Sequence, residues 1–284
     1  MQSFIMIPPI ASRFVAGESA AGALDHARRM NDDGVAVILN LLGEHYAERA
    51  PADEDAAAYV DLVEDIASTG IDACVSVKPS QIGLDAGDHV FEENYRRIAE
   101  AADEHGVFLW CDMEDHETTD VTLDAFEELA REFDGGMGLC VQANLKRTPD
   151  DLERLADVPG KIRLVKGAYD EPAAVAHKQK SAVNEAYKEL LAYLFREYDG
   201  GIAVGSHDPE MIDYARDLGA EYDRDYEVQM LMGVREDAQR ELAADGVEVW
   251  QYAPYGDKWV SYFYRRVRER KENALFALRA VVGV

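Results

Sequence analysis

From Val35 onward the chain alternates, eight times over, between short apolar runs and longer amphipathic stretches. The runs are VAVILN (35–40), IDACVSV (71–77), VFLWC (107–111), MGLCVQA (137–143), KIRLV (161–165), IAV (202–204), YEVQ (226–229) and VEVWQY (247–252). Continuous apolar runs of this length bounded by turn residues read as strands buried on both faces. Between them apolar residues recur at three- and four-residue steps, which predicts helices over 53–68, 90–104, 123–133, 149–156, 172–198, 209–218 and 236–244. A further amphipathic segment, 18–30, precedes the first strand. Strands joined by helical crossovers pair in parallel, and eight such units close into a (β/α)8 barrel. A doubly wound open sheet is the structural alternative, but no strand is followed by GxGxxG or GxxxxGK[ST]. Without a Ser/Gly-rich linker or a repeat, residues 1–284 are expected to form one domain.

In such a barrel the functional site gathers where the strands end. The groups found there are Glu44, Lys78, Asp112, Gln142, Arg163, Lys166, His207, Gln229 and Tyr252. Asp112 follows a run that should be buried, so it needs a cationic partner, and Lys78 from the neighbouring strand end is the natural one. Along 161–166 Arg163 and Lys166 face opposite ways, while Gly167 and Ala168 allow a ligand to approach the backbone. Asp208 and Pro209 mark the start of a helix at a strand end, which suits an anion. Beyond the last strand, after the turn expected at Pro254 and Gly256, Arg265 and Arg266 stand side by side on a predicted helix with Glu269 one turn on. Two adjacent guanidiniums suit a small carboxylate, gripped bidentately.

Charge narrows the function classes. With 56 acidic against 29 basic residues the net charge is −27, so the basic footprint of a nucleic-acid binder is missing. An acidic coat of this density also fits a protein that works in concentrated salt, where screening removes the self-repulsion. Cys74, Cys111 and Cys140 lie inside apolar runs, as buried thiols do, and no CxxC spacing suggests zinc. No HxH or HExxH places two histidines on one element, so no metal site is expected. No apolar run reaches the ~20 residues of a membrane-spanning helix, and the first ten residues do not read as a signal peptide.

The segments RFVAGE (13–18), LLGE (41–44), SVKPSQIGL (76–84), DMED (112–115), VQANLKRT (141–148), RLVKGAYDEP (163–172), SHDP (206–209), EVQMLMGV (227–234), YAPYG (252–256) and YFYRR (262–266) together resemble the monofunctional proline dehydrogenases, in that family's order and over nearly the whole chain. The resemblance implies a distorted (β/α)8 barrel, its last helix lying over the mouth, that binds FAD without a dinucleotide fingerprint. It implies that Arg265 and Arg266 clamp the carboxylate of L-proline with help from Lys78. It further implies catalytic roles for Asp112, for Arg163 beside the flavin, and for Tyr252 against the substrate ring. Flavin contacts would come from Met113, Gln142, Arg163, Lys166, Gly167, Ala168, Ser206 and His207, while Glu44 and Glu269 hold the pocket shut. Asn144 departs from the pattern, standing where relatives often carry an aromatic residue, and Ser206 stands where they often carry Thr.

The implied reaction is hydride transfer from C5 of L-proline to FAD, giving Δ1-pyrroline-5-carboxylate, with a quinone as electron acceptor. A separate pyrroline-5-carboxylate dehydrogenase would take the product onward. The expected location is the cytoplasm, and a quinone acceptor adds the option of peripheral contact with the inner face of the membrane. Competing readings are a dehydrogenase of a related imino acid such as hydroxyproline, a flavin- or anion-binding barrel without turnover, and a barrel acting on a phosphorylated substrate.

Overall fold

The computed structural model describes residues 13–260. Eight strands form a closed, fully parallel barrel in sequence order: β1 (Ala36–Leu41), β2 (Ala73–Val77), β3 (Leu109–Cys111), β4 (Met137–Gln142), β5 (Lys161–Val165), β6 (Gly201–Gly205), β7 (Glu227–Leu231) and β8 (Glu248–Tyr255). β8 closes the ring on β1, with Ile38 opposite Tyr252 and Asn40 opposite Pro254. Outside the strands lie α1 (Ala20–Asp32), α2 (Arg49–Thr69), α3 (Asp88–His105), α4 (Thr119–Glu132), α5 (Thr148–Arg154), α6 (Lys180–Glu197), α7 (Pro209–Tyr222) and α8 (Glu236–Ala244). α1 is the additional N-terminal helix. It packs Leu24, Ala27 and Met30 inward, and its buried His26 bonds Gln251 of β8 at 2.6 Å.

Period-two alternation sorts each strand into two environments. Outward residues such as Val37, Leu39, Val75, Leu139, Ile162, Leu164 and Val228 join Tyr59, Phe91, Phe126 and Leu194 from the helices in one continuous apolar layer. Each fully buried side chain of this kind contributes ~1.5–3 kcal/mol, so this layer holds the barrel together. Inward residues form a small separate cluster, Ile38, Cys74, Trp110 and Ala203, flanked by Phe108, Trp250 and Tyr252. Glycine makes room for the bulky members: a Cβ at Gly138 would lie 2.5 Å from the Trp110 ring, and one at Gly201 2.6 Å from the Lys161 side chain.

Of the boundaries that depart from the sequence expectation, two bear on the site. The helix expected from Pro172 begins at Lys180. The chain before it turns at Pro172 and is captured by the β4–α5 loop, where His177 N donates to Asn144 O (2.7 Å) and Lys146 N to Val175 O (2.9 Å). Tertiary pairing here outweighs helix propensity. β8 runs three residues past Tyr252, through Pro254. Proline is tolerated at this strand end, where its carbonyl accepts from Ala16 N at 2.8 Å. The three cysteines are buried free thiols, as expected. Among the described residues no helix is long and apolar enough to cross a membrane. The predicted helix carrying Arg265, Arg266 and Glu269, and its place over the mouth, lie outside the described residues.

Candidate active site

Asp112 follows β3 on the inward face and is the point where the site converges. Its Oδ1 accepts from Ser76 Oγ at 2.8 Å and from the Arg163 guanidinium, while its Oδ2 accepts from Lys78 Nζ and Tyr252 OH, each at 2.8 Å. Donors thus reach one carboxylate from β2, the β2–α3 loop, β5 and β8. The structure therefore brings together four of the residues expected at the site, Lys78, Asp112, Arg163 and Tyr252. Burial by itself would raise the Asp112 carboxyl, but Lys78 and then Arg163 outweigh it and hold the group well below the usual carboxylate range. Burial likewise disfavours charge on Lys78, and Asp112 reverses that and pushes the ammonium well above its ordinary value. The Tyr252 phenol is pushed up by burial and then by Asp112, so it stays a donor. Two cations against one carboxylate leave the cluster with a residual positive charge.

Arg163 is 4% exposed. Its guanidinium lies 4.8 Å from the centre of the Trp110 ring and 5.6 Å from that of Tyr252, within the range in which the ring faces attract a cation. Its other terminal nitrogen donates to Gln229 Oε1 at 3.0 Å. The internal partners that a strand arginine requires are thus an acid and an amide.

The ends of β4, β5 and β6 carry most of the residues expected to meet a cofactor. Gln142 donates from Nε2 to Glu114 O at 2.7 Å, and Met113 is buried beside it in sequence. Lys166 Nζ donates to Asn184 Oδ1 and Asp208 Oδ2, both at 2.7 Å. Gly167 adopts φ +101°, and Ala168 after it is exposed. Asp208 caps α7 by accepting from Glu210 N, with Pro209 at the first helical position. Ser206 Oγ accepts from Asp208 N at 3.1 Å, and His207 Nε2 from Leu231 N at 3.3 Å. Glu44 is half-buried in the β1–α2 loop.

Three features of this rim fit a large heteroaromatic anion such as FAD. Asn144 Oδ1 is buried without a hydrogen-bond partner, an acceptor in want of a donor. A Cβ at Gly167 would stand 2.1 Å from that same oxygen, so the rim stays open only with glycine there. Lys166 and the first turn of α7 place N–H donors on the same side, tied to one another through the carboxylate of Asp208.

Sequence reading missed Ser76 and Glu114. Ser76 shares the inward face with Cys74, so counting by two along β2 points it at Asp112. Glu114 is 2% exposed and accepts from Ser80 N (2.6 Å) and Ser80 Oγ (2.8 Å). Burial pushes its carboxyl above the ordinary value, against the pull of Lys78 and the Ser80 bonds. Among the described residues no group of His, Cys, Asp or Glu is arranged to hold a metal ion.

Fold and site together define a (β/α)8-barrel protein whose mouth is built around a buried carboxylate gripped by two cations. The sequence profile of the proline dehydrogenase family matches residues 23–279. Proline dehydrogenase of Deinococcus radiodurans is 38% identical over 96% of this chain and 90% of its own length. Proline dehydrogenase 1 of Bacillus subtilis (strain 168) is 34% identical over the same shares. The chain belongs to the proline dehydrogenase family. Among solved structures, proline utilization A (PutA) from Bdellovibrio bacteriovorus superposes with a TM-score of 0.83 at 23% identity, over 90% of this chain and 32% of that one. That likeness is one of fold, and it confirms the expected barrel.

Proposed function

We propose that this chain oxidises L-proline to Δ1-pyrroline-5-carboxylate, with FAD as the immediate electron acceptor and a quinone as the final one. The observation that carries the reading is the Asp112 cluster, in which a charged lysine and a charged arginine are held together in the barrel mouth. When bound, FAD would supply a two-electron acceptor for the hydride from C5 of proline, and the amine N–H proton would pass to solvent water as the C5=N bond forms. Lys78, whose side chain is 19% exposed, would meet the substrate carboxylate, with Arg265 and Arg266 as its partners in that task. Arg163 would place its charge beside the isoalloxazine, where it favours the electron-rich reduced state. Asp112 would orient both cations, and Tyr252 would shape the wall against the substrate ring. Gln142, Met113, Lys166, Gly167, Ala168, Ser206 and His207 would hold the cofactor. Glu44 and Glu269 would close the pocket, and a separate pyrroline-5-carboxylate dehydrogenase would consume the product.

We also read residues 1–284 as one domain and the charge of −27 as an adaptation to high salt. The test of function is the visible spectrum of the purified protein, followed by anaerobic mixing with L-proline. Flavin absorption that bleaches supports the reading, and a flavin-loaded sample that does not bleach overturns it. Faster turnover of hydroxyproline than of proline would reassign the substrate.

A further inference from the structure

Below the Asp112 cluster the inward faces of β5 and β7 carry a continuous polar array down to the floor of the barrel. Lys161 Nζ meets Glu227 Oε2 at 2.5 Å. Gln229 Nε2 donates to Glu227 Oε1 at 2.5 Å, and Gln229 Oε1 accepts from Arg163 at 3.0 Å. Arg163 then passes on to Asp112. Glu227 and Gln229 are 3% and 4% exposed. Each pair, 161 with 163 and 227 with 229, shares one face of its strand.

The chemistry of the amide gives this array a direction. A carboxamide has donors at one end and an acceptor at the other, whereas a guanidinium only donates. If Gln229 were reversed, its NH2 would confront the NH groups of Arg163. An ionised carboxylate only accepts, so Glu227 draws the NH2 end downward and presents the carbonyl end to Arg163. The Asp112 end of Arg163 is shared with Ser76, Lys78 and Tyr252. The Gln229 bond therefore fixes the rotation of the guanidinium plane between Trp110 and Tyr252.

We infer that Glu227 is a positioning residue for Arg163, acting through the orientation of the Gln229 amide. The inference rests on the proline-oxidising reading above. The titratable and charged groups facing Glu227 are Lys161 of β5, Glu248 of β8 and Cys74 of β2. Burial pushes the Glu227 carboxyl above its ordinary value, and Lys161 works against that push to keep the group an acceptor.

The test compares flavin-loaded wild type with Glu227→Gln, Gln229→Leu and the double variant, by turnover with proline and by the flavin midpoint potential. Glu227→Gln is expected to lose roughly tenfold in kcat, the equivalent of one hydrogen bond of ~1.4 kcal/mol. KM for proline should hold while the midpoint potential falls, because a loosened Arg163 supports the reduced flavin less. In the Gln229→Leu background the added Glu227→Gln should change neither quantity further. Independent, additive losses would make Glu227 only the floor partner of Lys161 and overturn the inference. Should Glu227→Gln not fold, Lys161→Met gives the same test. Without its cation Glu227 protonates more readily, so kcat should fall with acidification over a range where wild type holds, and an unchanged acid limb overturns the inference. A colourless wild type unreactive to proline overturns the functional reading and this assignment with it. A reactive wild type matched in rate and potential by Glu227→Gln overturns this assignment alone.

Discussion

Lys78 and Asp112, 34 positions apart in the chain, meet at 2.8 Å between the ends of two neighbouring parallel strands. The pair is mostly shielded from water, with side-chain exposures of 19% and 11%. Its attraction is therefore weakly screened, and neither member is dispensable to the other. Asp112→Asn leaves Lys78 and Arg163 without their counter-charge. Breaking a buried pair in this way costs ~3–5 kcal/mol. Denaturant unfolding should show a loss of that order, and turnover with proline should fall by orders of magnitude.

Gly167→Ala tests the rim. The backbone there is left-handed, at φ +101°, and the new Cβ would stand 2.1 Å from Asn144 Oδ1. Strain of this kind costs ~1–3 kcal/mol. The variant is expected to purify with much less flavin than wild type, as read from the ratio of visible to ultraviolet absorbance. Full flavin loading would remove Gly167 from the cofactor site.

The proposed role of Arg265 and Arg266 as a clamp on the substrate carboxylate is tested by Arg265→Met and Arg266→Met. Each should raise KM for proline by at least one to two orders of magnitude, since losing a charge-assisted contact costs ~1.5–3 kcal/mol. Flavin content should not change. If KM stays at the wild-type value in both variants, the carboxylate is bound elsewhere.

Glu114 gives a pH signature. Its folded-state pKa is raised, first by burial, so the folded protein binds the proton more tightly than the unfolded chain does. Stability from this group is therefore highest in acid and declines as pH rises from the ordinary glutamate value through the raised one. Glu114→Gln has no such proton to lose. Its stability relative to wild type should improve between pH 4 and pH 7, as measured by parallel denaturant titrations, and a flat difference would contradict the raised pKa.

The excess of acidic residues, 56 against 29 basic, predicts a salt response. Several arginines each bind two acids: Arg96 holds Glu128 and Glu132, Arg147 holds Asp120 and Asp151, and Arg154 holds Asp124 and Glu127. With cations this outnumbered, the remaining acids repel one another through water. The melting temperature should climb as potassium chloride is raised from low to molar concentration. Equal stability at both ends would remove the high-salt reading.

The barrel was legible because its two periods, two in the strands and 3.6 in the helices, are written in apolar residues. The Lys78–Asp112 pair was legible because consecutive parallel strands are neighbours. Tyr252 as a partner of Asp112 was not, since the two are 140 positions apart and meet only after β8 returns to β1. Ser76 was hidden because one hydroxyl in an apolar run carries no charge to demand a partner. Residues 172–179 were misread as helix because their backbone bonds go to the β4–α5 loop, which no local pattern records.

The carboxylate that gathers the site also ties together walls of the barrel that are far apart in the chain, and this bears on how such a protein can change. Remodelling chemistry at Asp112 means loosening the closure of the sheet, so novelty there carries a folding penalty from the first mutation. Exposed residues of the surrounding loops, Ala168 among them, tie no two strands together. A lineage seeking a new substrate, or an engineer, would find the permissive ground in that rim and the constrained machinery beneath it.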